Sequence, residues 1–157
     1  MVYFARRFAL LSGFVVLLLL QMSPVLADTI YTAVLSGPTA GTESTATGTA
    51  TLTLNSAQTE VAYVVEYTGL QGIEIGAHIH NAPPGMDGTR LLLLFPGSPK
   101  VGTWAVSAFE VEELNAGRIY INVHTELYPT GEIRGDVVSS LVANEAVSWG
   151  AVKALYN

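Results

Sequence analysis

The chain has 157 residues, with 13 acidic and 7 basic side chains, three histidines and no cysteine. That is the length of one domain, and 50% hydrophobic against 13% charged residues argues against a disordered chain. Without cysteine there is no disulfide, thiolate metal site, cysteine nucleophile or lipid-modified N-terminal cysteine.

The apolar excess is concentrated at the start, where 20 of the first 27 residues are hydrophobic. Arg6-Arg7 precede the apolar run 8–20, and Ser23-Pro24 and Val25-Leu26-Ala27 follow it. A positive start, a short apolar stretch and small residues before Asp28 predict a secretory signal peptide over 1–27, cleaved after Ala27. The run is shorter than the roughly 20 residues of a spanning helix. The mature protein is therefore expected to be secreted or periplasmic, and not integral to a membrane. It would keep five basic against 13 acidic residues, a net charge of −8. Arg90, Lys100, Arg118, Arg134 and Lys153 form no basic stripe, so nucleic acid is not an expected partner.

From Asp28 onward the dominant period is two. Predicted strands are 30–36, 47–54, 61–67, 73–80, 89–95, 103–111, 118–124 and 132–141. Gly37-Pro38, Gly69, Pro83-Pro84-Gly85, Pro96-Gly97 and Pro129-Thr130-Gly131 punctuate them as turns. Residues 112–117 read as one helical turn closed by Gly117. Seven or eight short strands predict an all-β, Greek-key-type antiparallel sandwich or barrel, immunoglobulin-like or superoxide-dismutase-like, over 28–141. The segment 142–157 loses the alternation and reads as a short helix docking its aromatics on that body, with a partner-binding or sorting tail as the alternative.

The histidines carry the chemistry. His78 and His80 flank Ile79, so an extended strand projects both imidazoles from one face, which Glu74 and Gly76 would share. In 118–124 the odd positions are aliphatic, which places Tyr120, Asn122 and His124 together on the wetter side. The same alternation in 132–137 buries Ile133 and Val137 and exposes Glu132, Arg134 and Asp136. Two imidazoles at i and i+2, joined by a third from another strand, make a three-nitrogen set for one copper or zinc ion. Such a set leaves a coordination position open. The plainer alternative is that the imidazoles hydrogen-bond the loops 81–88 and 125–131 and hold them in place. Proton competition at ordinary imidazoles would weaken metal binding below about pH 6.

Other constellations are weaker. Glu126 and Glu132 pose as paired carboxylates, but nothing sets their separation. Neither Ser107 nor Ser139 sits in a Gly-x-Ser-x-Gly elbow, and Met86-Asp87-Gly88 has too few carboxylates for a calcium loop. Arg134 on the histidine face either steers an anion or pairs with Glu132 or Asp136.

Gly69-Leu70-Gln71-Gly72, Gly76-Ala77-His78-Ile79-His80 and Gly85 to Gly88 resemble the first signature of the CHRD domain, the module repeated in chordin. Tyr120-Ile121-Asn122-Val123-His124-Thr125 and Pro129-Thr130-Gly131-Glu132-Ile133-Arg134-Gly135 resemble its second. The likeness spans about 29–141 and implies an extracytoplasmic β-sandwich with an unidentified protein or envelope partner. A more distant likeness is to copper-zinc superoxide dismutase. It implies that His78, His80 and His124 correspond to copper ligands, and that Arg134 corresponds to an anion-guiding arginine. A further bridging histidine, a zinc-binding loop and a cysteine pair are missing, so any metal site is mononuclear.

Three readings follow. The first is an exported CHRD binding or structural module, not an enzyme, with one copper or zinc ion on His78, His80 and His124. Arg134, Glu132 and Tyr120 would then support the site or guide an anion. The second is a mononuclear copper oxidoreductase of dismutase-like type on the same trio. The third is an envelope protein-interaction module whose histidines are purely structural. Redox turnover separates the first two, and loss of stability without loss of metal in His78→Ala marks the third.

Overall fold

The computed structural model describes residues 27–140. The expected signal segment up to residue 26 and the tail from 141 onward lie outside the described residues. In chain order the elements are β1 (Thr29–Ser36), α1 (Gly37–Ala40), β2 (Thr47–Leu54), β3 (Glu60–Thr68), β4 (Glu74–Asn81) and β5 (Thr89–Leu94). They continue with β6 (Lys100–Ala105), α2 (Ala108–Asn115), β7 (Ile119–Thr125), β8 (Ile133–Asp136) and β9 (Val138–Ser139). All pair antiparallel in one sheet of order β5-β4-β7-β8-β1-β2-β3-β6, with β9 added on β1. The sheet curls into a nearly closed barrel, as the all-β expectation required. Among the described residues no helix is long and apolar enough to cross a membrane.

Strand alternation decides what faces inward. Tyr31, Ala33 and Leu35 of β1, Ala50, Leu52 and Leu54 of β2, and Val61, Tyr63 and Val65 of β3 are buried together. Their neighbours Thr32, Thr49, Thr51 and Ala62 are exposed. Ala77, Ile79, Ile119, Ile121, Val123 and Ile133 complete the core from the other half. Gly102 on β6 makes room for Tyr63, since a Cβ there would stand 2.4 Å from the phenol oxygen.

Three local expectations need correction. The strand expected over 103–111 stops at Ala105, and α2 begins three residues later, at Ala108. Ser107 caps that helix by accepting from the Glu110 amide, while the Glu110 carboxylate accepts from the Ser107 amide in return. This capping box outweighs a short run of alternating apolar residues. The strand expected over 132–141 is interrupted at Val137, whose amide donates to the Ile119 carbonyl, while β9 pairs with Tyr31 and Thr32 instead. A bulge between Glu74 and Gly76 sets Glu74 opposite Thr125 and turns it away from the histidine face. Its carboxylate meets Lys100 instead.

Candidate metal site

The histidines sit on two neighbouring strands. His78 and His80 of β4 lie opposite Asn122 and Tyr120 of β7, and Gly76 lies opposite His124. With the core on the inner side, all three imidazoles project from the outer face. Their ring centroids are 4.9 Å apart for His78 and His124, 5.4 Å for His78 and His80, and 6.4 Å for His80 and His124. One ring nitrogen from each lies within 4.8 Å of the other two. Tetrahedral zinc with its usual bond lengths sets nitrogens ~3.3 Å apart, so the three would have to draw closer to hold one ion.

Hydrogen bonds fix which nitrogens are free. Nδ1 of His80 lies 3.0 Å from the Gly88 carbonyl oxygen, and Nδ1 of His124 lies 3.0 Å from that of Pro129. A carbonyl only accepts, so both Nδ1 atoms carry hydrogen and the two neutral rings present lone pairs on Nε2. His124 Nε2 lies 3.1 Å from His78 Nδ1, which must then be the donor of that pair. His80 Nε2 is buried with no hydrogen-bond partner. A buried acceptor left unpaired costs about 1–3 kcal/mol, and an electrophile at this spot removes that cost. The same bonds tie the imidazoles to the two overlying loops, so the loop-holding contacts and the orientation of the remaining nitrogens come from the same hydrogen bonds. Three neutral nitrogens without a carboxylate fit zinc or copper and do not fit calcium or magnesium.

The surrounding residues depart from the sequence reading in their burial. Tyr120 and Asn122 share the histidine face but are buried, not wet, because the loops at 82–88 and 126–131 fold over them. Tyr120 stacks on His80 with centroids 4.8 Å apart, and its hydroxyl accepts the Gly88 amide at 3.1 Å. Arg134, expected to be exposed, is 5% exposed. Its guanidinium lies 3.5 Å from the Tyr120 ring centroid and donates to Asp136 at 3.0 Å and to the Met86 carbonyl at 2.9 Å. Asp87 adds a longer ion pair at 3.5 Å. Of the two carboxylates expected to compete for Arg134, Asp136 is the one that pairs.

Glu132 is not exposed either. Its side chain is fully buried, accepting from the Ser44 and Thr125 hydroxyls and the Gln71 amide at 2.7 Å each, and from the Gly72 amide at 3.4 Å. None of these partners is a histidine, and Glu126 stays exposed on its loop. The residue that sequence reasoning missed is Arg90. It lies opposite His80 on β5, with Nη1 3.5 Å from His78 Nε2. The hairpin joining β4 to β5 carries the signal, but a register shift at Ile79/His80 hides the pairing.

His78 is pushed down to about 4, first by burial and then by the positive charge that His124, His80 and Arg90 bring near it. His80 is also lowered, chiefly by burial, against the pull of the Gly88 carbonyl. At neutral pH both imidazoles are therefore held neutral, and protons compete for the His78 ring only near pH 4. Between about pH 6.5 and 4 the unfolded chain takes up a proton that folded His78 refuses, so stability falls as pH falls and His78 adds no further loss below about 4. Thermal melts of the metal-free chain at pH 7, 5.5 and 4 should show this decline, and His78→Gln should flatten it. An unchanged slope in His78→Gln would remove His78 as its source.

A family model described as the CHRD domain matches residues 31–137. That stretch contains β4, β7, both covering loops and all three histidines. No curated protein and no solved structure matches the chain. With the family model covering most of its length and both signature segments building one face of the barrel, the chain belongs to the CHRD-domain family.

Proposed function

We propose that this CHRD domain is an extracytoplasmic binding module that holds one zinc or copper ion on His78, His80 and His124. The observation that carries this reading is the buried, unpartnered Nε2 of His80, on a ring that brings one nitrogen within 4.8 Å of one nitrogen each of His78 and His124. A bound ion supplies a Lewis-acid or redox centre with a position open to a further ligand. The chain's own residues aim and shield it. The Gly88 and Pro129 carbonyls hold two tautomers, Tyr120 packs against His80, and Arg134 pins the 82–88 loop through the Met86 carbonyl. Redox turnover by the copper-loaded chain would make the same site an oxidoreductase of dismutase-like type.

Titration of the untagged, metal-free chain with Zn2+ and with Cu2+ at pH 7 tests the reading. One equivalent should bind, and His80→Ala should weaken that binding by at least about a hundredfold. Equal affinity in parent and variant would overturn it. A protein-interaction role is the second reading. It is favoured by Leu93, which lies opposite His78 in register and is 60% exposed, and by Phe95 two residues on, at 78%.

A further inference from the structure

We infer that Arg90 is the anion-binding residue of the histidine centre, held back by His78 in the metal-free protein and released when the metal binds. This rests on the metal reading and adds to it the class of further ligand, a small anion. His80 and His124 give their Nδ1 hydrogens to carbonyls, so His124 Nε2 is an acceptor and His78 Nδ1 donates to it. A neutral His78 then keeps its lone pair on Nε2, where the neighbouring donor is Arg90 Nη1 at 3.5 Å. This is the one side-chain hydrogen bond Arg90 makes among the described residues, and the residue is exposed.

His78 Nδ1 is the nitrogen that faces His124, 3.1 Å from its Nε2, and ligation through it requires that nitrogen to give up its hydrogen. The neutral ring then carries it on Nε2, facing Arg90. Two donors cannot bond one another, so the contact breaks and both the guanidinium and the Nε2 hydrogen are left without an acceptor. Charge points the same way. Three neutral ligands leave the ion's positive charge uncompensated, with Arg90 beside it. Asp136 and Asp87 are engaged by Arg134, Glu74 by Lys100, and Glu132 by its four donors. An anion accepts from the released donors and lowers the net charge in one step.

Azide titration of the copper-loaded full chain, followed by absorption and electron paramagnetic resonance, reads the site without any assay of turnover. Arg90→Ala should bind one equivalent of copper as the parent does but bind azide about tenfold more weakly, with Arg90→Lys between the two. Nitrogen-15 spectra of the zinc-loaded chain should show the His78 hydrogen on Nε2, against Nδ1 in the metal-free form. Equal azide affinity with copper retained, or an unchanged His78 tautomer on zinc loading, would overturn this inference alone. Failure of the parent chain to bind either metal would overturn the metal reading and this inference together.

Discussion

Replacing Glu132 by alanine is expected to lower the unfolding free energy by about 4 kcal/mol, read as a shifted urea midpoint. The carboxylate is the shared acceptor of four donors from three separate parts of the chain. They are the Ser44 hydroxyl before β2, the Gln71 and Gly72 amides before β4, and the Thr125 hydroxyl at the end of β7. Removing it strands several buried donors, each costing about 1–3 kcal/mol where water cannot reach. Burial alone would raise the Glu132 pKa, yet the Gln71 amide and the Ser44 and Thr125 hydroxyls outweigh it and hold the carboxyl below its usual value. Its contribution is therefore present above the ordinary carboxylate range and lost as pH falls through the lowered value. Glu132→Gln should recover only part of the loss, because its NH2 group faces partners that are themselves donors. A loss under about 1 kcal/mol in Glu132→Ala would contradict this role.

Glu74→Ala is expected to cost about 3–5 kcal/mol, because it leaves the charge of Lys100 buried without a counterion. Lys100 is 2% exposed, with Nζ donating to Glu74 at 2.5 Å and to the Phe95 carbonyl at 2.9 Å. The other Glu74 oxygen accepts from the Tyr67 hydroxyl and the Gly97 amide. Burial pushes the Glu74 carboxyl up, but Lys100, Tyr67 and Gly97 together bring it below its ordinary value. Burial first, and then the Glu74 carboxylate, pushes the Tyr67 phenol far up. β5 and β6 are the two ends of the strand order, so the barrel's seam runs between them. The Glu74–Lys100 pair links β4 to β6 across it. The double variant Glu74→Leu with Lys100→Met should be more stable than Glu74→Ala, since an apolar pair leaves no unpaired charge. If denaturation midpoints show the double variant to be the weaker, the ion pair does more than neutralise a buried lysine.

Alternation in the sequence was enough to place His78, His80 and His124 on the non-core face, because β4 beyond its bulge and β7 keep a strict period of two around apolar residues that must be buried. It could not show that Tyr120, Asn122 and Arg134 are buried, since the cover comes from loops whose path no periodicity encodes. Glu132 reads as exposed for a related reason, and the burial of Lys100 beside Glu74 is not encoded in the alternation either. A charged residue next to a turn reads as exposed, and only the three-dimensional meeting of Ser44, Gln71, Thr125 or Glu74 supplies the partners that make burial tolerable. Glu74 was misplaced by one inserted residue, because a bulge reverses the side on which everything before it points. The start of α2 was legible. Ser107 and Glu110 stand at capping-box spacing, a stronger signal than the weak alternation across 103–111.

Elemental analysis of the untagged chain purified from its native compartment tests the central claim most directly. Close to one zinc or copper per chain is expected, lost when His80 is replaced by alanine. Metal-free protein that also fails to take up micromolar zinc or copper would contradict it, and would leave the histidines as anchors for the two loops they bond.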